Sequence, residues 1–183
     1  VKDRYSPRDS WKGKPFGAED GHFFFRGIEE LSDLFTQERG RALQRYFEHP
    51  RFRSAYLLYF LPLQAAKFVA VFDRHKQFLI PALRAAAQKG TIEIVDLGAG
   101  PFTASIAFVL WALDQMPEIT PEGAEFPKIK VIGVDSQATI LKEGAELVEI
   151  LSNGFPKLRG KVEVTTQVSK WQDWVKTHTR GMD

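Results

Sequence analysis

The chain has 183 residues, of which 44% are hydrophobic and 26% charged, a composition typical of a folded protein of one domain with an extension. A formal net charge of +2 is too small to indicate nucleic-acid binding by itself. Cysteine is absent, which excludes disulfide bonds, thiolate metal sites and cysteine nucleophiles within these residues and fits a reducing cytoplasm, the expected location.

The first ninety residues predict helices after a polar beginning. Residues 1–20 carry charges of both signs and lack the apolar core of a signal peptide, so we expect a surface or disordered extension. Over residues 21–90, apolar side chains recur at helical spacing, as at Leu31, Leu34 and Phe35. The sequence therefore predicts a helical N-terminal region over 21–90.

One apolar stretch, residues 55–72, is long enough to raise the question of a membrane span. Pro62, Gln64 and Lys67 lie in its middle, and a charge at bilayer depth costs roughly 2.5–3.5 kcal/mol. We therefore expect a buried helix pair bent at Pro62, and no membrane partner.

From residue 91 the pattern changes to alternating strands and helices. Apolar runs near 92–96, 130–135 and 161–166 have the composition of strands, and a helical run follows each of them. The stretch 116–127 contains three prolines and a glycine, so we expect a loop there. This alternation predicts that residues 91–183 form an α/β domain with a parallel sheet.

A glycine-rich turn, Gly98-Ala99-Gly100-Pro101, follows the first predicted strand. Glycines here permit a sharp turn and leave room for a ligand, and the next helix directs its positive end to the same place. Asp96 lies two residues before the first glycine, where a carboxylate would repel a pyrophosphate and attract a cation. The alternative is that Asp96 only caps the following turn.

A second acid, Asp135, ends the second predicted strand, where a carboxylate can accept hydrogen bonds from both ribose hydroxyls. Its separation from the glycine turn exceeds the roughly 20 residues usual in dinucleotide-binding proteins, and the stretch 116–127 accounts for the excess as an insertion. An ordinary helix-capping role for Asp135 is the alternative.

The run Val95-Asp96-Leu97-Gly98-Ala99-Gly100-Pro101 resembles the first motif of the class I, Rossmann-like, S-adenosylmethionine-dependent methyltransferases. The resemblance implies an α/β fold of which this chain supplies the first three strands. S-adenosylmethionine carries an ammonium and a sulfonium, which suits an acid at this place. The implied cofactor-binding residues are Asp96, Gly98, Ala99, Gly100, Pro101, Asp135, Ser136 and Gln167.

The resemblance has one departure. Phe102 stands where the family often has a third glycine, and its ring could crowd the cofactor or pack beneath the following helix. Trp171 and Trp174 are expected to pack in the core.

A narrower resemblance covers residues 50–110. Arg53 to Ala66, followed by the glycine turn, is similar to methyltransferase-like proteins associated with assembly of the mitochondrial small ribosomal subunit and to their bacterial relatives. It implies ribosomal RNA or the small subunit as partner. The arginines over 39–53 are then either an RNA-facing patch or, as we expect, a solvated helix face paired with Glu38 and Glu48.

These observations favour an S-adenosylmethionine-dependent methyltransferase, with ribosomal RNA as a candidate substrate. A non-catalytic ribosome-assembly or RNA-binding factor is the alternative, and a nicotinamide-dependent oxidoreductase is disfavoured by Asp96. We identify no catalytic residue and no metal site, since the four histidines have no ligand spacing. Because the family's sheet has further strands, we expect a chain truncated after the third strand and inactive by itself.

Overall fold

The computed structural model describes residues 14–15, 17–37 and 46–178. Contacts between residues divide the chain into two compact units, 1–64 and 65–183. The fold class is α/β, with a three-stranded parallel sheet and mostly helical content, which confirms the sequence prediction at this level. The helices of residues 65–90 belong to the second unit, together with the sheet.

The first unit is helical. It contains α1 (Ala18–Gln37), a short turn of 3₁₀ helix at 46–48, α2 (Pro50–Ala55), a π-helical turn (Tyr56–Phe60) and the start of α3 (Leu61–Arg74). Leu31 of α1 and Ala55 of α2 are fully buried against each other's helix, and Phe60 joins them. Aromatic rings surround this core at edge-to-face angles; they are Phe35, Tyr46, Phe47 and Tyr56.

The expectation of a buried, bent helix pair over 55–72 is wrong. Pro50–Arg74 forms one helix of 25 residues. Its π turn ends at Phe60, two residues before Pro62, and the Leu61 N–H donates to the Tyr56 carbonyl five residues back, so the wider turn accommodates the proline. Only 17% of the most apolar window is buried, and α3 buries no residue. This helix is long and apolar enough to cross a membrane by length and composition alone, which is weak evidence.

The second unit contains the sheet, with strand order β1-β2-β3 and parallel pairing throughout. The predicted strands are confirmed, each within two residues of its expected bounds. The elements in chain order are α4 (Lys76–Gln88), β1 (Thr91–Leu97), α5 (Thr103–Asp114), α6 (Met116–Ile119), β2 (Lys128–Asp135), α7 (Ala138–Gly154), β3 (Val162–Val168) and α8 (Trp171–His178).

The stretch 116–127 is not wholly a loop, because it begins with the short helix α6. Pro117 lies in the first turn of α6, where its missing N–H leaves no helical bond unmade. Ile119 is buried and the Lys76 ammonium contacts the Glu118 carboxylate. The prediction failed because proline was read as a helix breaker at a position where it is favourable.

The core of the second unit lies around β2 and α5. Ile129, Val131 and Val134 of β2 are at most 1% exposed, and α5 is apolar on every face. Such a helix belongs inside the protein rather than on its surface. β1, in contrast, pairs with β2 alone among the described residues, and Val95 and Leu97 are each 42% exposed.

Candidate ligand site at the glycine turn

The glycine turn lies at the carboxyl edge of the parallel sheet, between β1 and α5. Gly98 and Gly100 have φ angles of 72° and 49°, a left-handed conformation that L side chains rarely adopt. The N–H groups of Gly98 and Ala99 donate to the Val134 carbonyl at 2.8 and 3.0 Å, which fastens the turn to β2. A Cβ atom added at either glycine would meet no described atom within 4 Å, so space beside the turn is open.

Asp96 connects the tip of β1 to the first turn of α5. Its Oδ2 accepts hydrogen bonds from the Ser105 N–H at 3.2 Å and the Ser105 hydroxyl at 2.6 Å. That N–H is one of the four at a helix start that lack a partner within the helix. Asp96 therefore caps the first turn of α5. Its Oδ1 accepts no hydrogen bond from the described residues and is the oxygen available to a ligand.

The environment of Asp96 disfavours its charge. Burial raises the pKa of the Asp96 carboxyl, the two Ser105 hydrogen bonds lower it, and the Asp135 charge raises it further, with a net upward shift. A cation bound beside the two acids would reverse this balance, because it stabilises both carboxylates.

This shift predicts a pH dependence that Asp96→Asn removes. An acid whose pKa is raised by folding stabilises the protein fully below its unfolded pKa, about 3.9, and loses that contribution as pH rises through the folded pKa. We therefore expect the melting temperature of the wild type, relative to Asp96→Asn in the same buffers, to fall as pH rises from about 4 and then level off. A difference in melting temperature between the two proteins that is constant or rises with pH would contradict a raised pKa of Asp96.

Asp135, at the end of β2, accepts hydrogen bonds from the glycine turn and from the start of α7. Its Oδ2 accepts from the Gly100 N–H at 3.1 Å and its Oδ1 from the Gln137 N–H at 3.0 Å, at the start of α7. Its main-chain carbonyl accepts from the Ser169 N–H at 2.9 Å. Each carboxylate oxygen keeps a lone pair, so Asp135 both orders the turn and can still accept hydrogen bonds from a ligand.

The remaining predicted site residues lie near this edge but differ in availability. Ser136 is exposed directly after β2. Gln167 lies near the end of β3, and its side-chain oxygen accepts a hydrogen bond from the Trp174 indole, so its amide N–H groups and the second lone pair of that oxygen remain for a ligand. Ala99 and Pro101 are buried and shape the turn through their backbone.

The expectation that both tryptophans of α8 pack in the core is wrong for Trp171, which is 49% exposed. Trp174 is half-buried and stacks on His178, with ring centroids 4.1 Å apart. The cause is that α8 buries none of its residues, since β3 is an outer strand of the described sheet.

Phe102 packs beneath the turn and does not crowd its open side. It adopts φ 62° and ψ 32°, a conformation that costs a non-glycine residue roughly 1–2 kcal/mol, and its side chain is fully buried. Burial of a phenylalanine stabilises by about 1.5–3 kcal/mol, which offsets the backbone cost. The ring occupies neither of the two expected places, since it lies between β2 and α7 rather than in the ligand space or beneath α5.

Two glycines that sequence reasoning missed make room for this ring. A Cβ at Gly133 of β2 would lie 2.1 Å from Cζ of Phe102, and a Cβ at Gly144 of α7 would lie 2.6 Å from its Cδ2. Real Cβ contacts are never this short, so both positions require glycine. A lone glycine inside a strand is a recognised sign of close approach, and Gly133 carried that signal. Ser105, the partner of Asp96, was also missed.

Other candidate sites receive less support. Arg39, Arg41, Arg45 and Glu38 lie outside the described residues, and Arg51 pairs with Glu30 at 2.7 Å. Among the described residues, no group of three or more acids or histidines is placed to hold a metal ion. A cavity of about 220 Å³ lies beside Asp96, at the edge of β1 that has no partner strand among the described residues, with Phe72, Val95 and Phe108 in its walls.

No protein-family model, curated protein or solved structure matches this chain. Function is therefore inferred from the residues and their geometry. The turn offers an open space flanked by two carboxylates, at the sheet edge where parallel α/β folds bind ligands. Such a place favours a ligand that carries positive charge and hydroxyl groups, and disfavours phosphates.

Proposed function

We propose that this chain binds S-adenosylmethionine at the glycine turn and is part of a class I, Rossmann-like methyltransferase. The observation that carries the proposal is the pair of carboxylates, Asp96 and Asp135, on the two sides of the glycine turn. The parallel order β1-β2-β3 and the resemblance of residues 95–101 to the family's first motif support it.

Each acid has a distinct task in this proposal. Asp96 attracts the ammonium and sulfonium charges of the methionine part through the oxygen that Ser105 does not occupy. Asp135 accepts hydrogen bonds from the ribose hydroxyls while it holds Gly100 in place. Ser136 and the Gln167 amide are proposed to contact the adenosine end. When bound, the cofactor supplies an electrophilic methyl group for transfer to a nucleophile.

The substrate proposal is separate and rests on the narrower resemblance over residues 50–110. We propose ribosomal RNA as the methyl acceptor. Methyl transfer depends mainly on proximity and alignment, with a base where the acceptor must lose a proton. A non-catalytic ribosome-assembly factor shares the cofactor site in this proposal and differs in that it transfers no methyl group.

Calorimetry with two ligands tests the cofactor proposal. We expect S-adenosylhomocysteine to bind the 183-residue chain with saturable heat and one site, and NAD to give no saturable heat, because its pyrophosphate would meet the carboxylates. Binding of NAD with no binding of S-adenosylhomocysteine would indicate an oxidoreductase. Absence of binding by both would contradict the proposal.

A further inference from the structure

The backbone of Phe102 belongs to both the glycine turn and the following helix. Its N–H donates to the Ala99 carbonyl at 2.7 Å, which closes the turn, and its carbonyl accepts from the Ile106 N–H at 2.8 Å, which begins α5. A shift of Phe102 therefore moves the turn on one side and the helix start on the other.

The ring of Phe102 lies against the part of β2 that holds the turn. Gly133, which the ring contacts, is paired in register with Asp96 on β1. The next two residues of β2 are the hydrogen-bond acceptors of the turn, since Val134 accepts from Gly98 and Ala99. Asp135 then accepts from Gly100. The buried ring thus contacts the position of β2 that is paired with Asp96 and lies two residues before Asp135.

The α7 side of the ring is equally close. A Cβ at Gly144 would lie 2.7 Å from the Pro101 carbonyl carbon and 2.8 Å from its Cα, in addition to the contact with the ring. Gly144 therefore lets both the ring and the turn backbone approach α7. β2 and α7 together confine Pro101 and Phe102 from below, while the space beside Gly98 and Gly100 stays open.

From this arrangement we infer that Phe102 is a positioning residue for the ligand site: its ring, seated on Gly133 and Gly144, holds the glycine turn and the two acids in their binding geometry. The identity of the ligand rests on the function proposed above. The positioning role rests only on the contacts of the ring.

The consequence is that loss of the ring should loosen the turn before it unfolds the sheet. The turn is held to β2 by three hydrogen bonds, two to the Val134 carbonyl and one to the Asp135 carboxylate, whereas β2 is paired along its length with both β1 and β3. A ligand that needs an ordered turn then has to order it on binding, which weakens affinity.

Two measurements on Phe102→Ala test the inference at a temperature where the variant is folded. Amide hydrogen exchange of the ligand-free protein is expected to speed up at Gly98, Ala99 and Gly100 while the β2 and β3 amides stay protected. Calorimetry with S-adenosylhomocysteine is expected to show affinity roughly tenfold weaker. Phe102→Leu, which keeps an apolar side chain, should recover part of both effects and serves if the alanine variant does not fold.

Leu158→Ala is the matched control, because Leu158 is fully buried in the loop after α7, away in the sequence from the glycine turn and from Gly133 and Gly144. It is expected to lower the melting temperature and leave turn exchange and affinity unchanged. Equal effects of the Phe102 and Leu158 variants on exchange and affinity would overturn the positioning role. If the wild type does not bind S-adenosylhomocysteine, the proposed function fails, and exchange at the turn still decides the role of Phe102.

Discussion

Gly133→Ala is expected to lower the free energy of unfolding by about 3 kcal/mol, the upper end of the range for overpacking a core. The added methyl would lie 2.1 and 2.3 Å from Cζ and Cε1 of Phe102. Neither partner can move easily, since β2 is paired on both sides and the ring is fully buried. Urea denaturation followed by circular dichroism measures the change.

Gly154→Ala is the control for this prediction. Gly154 ends α7, and a Cβ there would meet no described atom within 4 Å. We expect a neutral effect or a gain of about 0.5–1 kcal/mol, because alanine restricts the unfolded chain and favours helix. A Gly133→Ala protein as stable as the wild type would show that the ring does not occupy this place.

A double variant shows whether contact with the Phe102 ring causes the loss of stability in Gly133→Ala. In Gly133→Ala combined with Phe102→Ala, the new methyl enters space that the ring has left. The double variant should therefore be more stable than the sum of the two single effects predicts, by about 0.5–3 kcal/mol, the range for residues in direct contact. Strict additivity would mean that the two residues do not touch.

Asp135→Ala is expected to weaken S-adenosylhomocysteine binding about ten- to a hundredfold. Loss of a charged hydrogen-bond acceptor costs roughly 1.5–3 kcal/mol. The same variant should lower the melting temperature, because Gly100 and Gln137 both donate to this carboxylate. Calorimetry gives the affinity and thermal denaturation gives the stability.

The two effects of Asp135→Ala separate the two interpretations of this acid. A lower melting temperature with unchanged affinity would support helix capping and contradict the ribose contact. Glu122→Ala removes an exposed acid from the loop before β2 and controls for the loss of one negative charge. It should change neither quantity.

The sheet could be predicted because its signal is local. Short apolar runs with a helical run after each specify parallel strands, and β1, β2 and β3 lie where the runs are. The two proline errors have a shared cause: the effect of a proline depends on its place in a helix. Pro117 lies in a first turn, and Pro62 follows a π turn that absorbs it.

The candidate site could be predicted only in part. The positions of Asp96, Asp135 and the glycines follow from strand ends and turn chemistry, and the structure brings them to one edge. Their partners do not follow, because Ser105, Gly133 and Gly144 meet the site only through tertiary packing. Phe102 is an example of a residue whose place depends on tertiary packing. It departs from the local motif, and two glycines distant in the sequence, Gly133 and Gly144, make room for its ring.

Titration of ¹⁵N-labelled protein with S-adenosylhomocysteine tests the central claim most directly, because each amide reports its own surroundings. The account predicts saturable shifts at Gly98, Ala99 and Gly100 and at Ser136. A second cleft, of about 700 Å³, lies between α7 and β3, and the amides of Asn153 and Val162 in its lining should stay unchanged. All shifts should be lost or need much more ligand in Asp135→Ala. Absence of shifts at the turn, or shifts confined to the α7–β3 cleft, would contradict a cofactor site between the two acids.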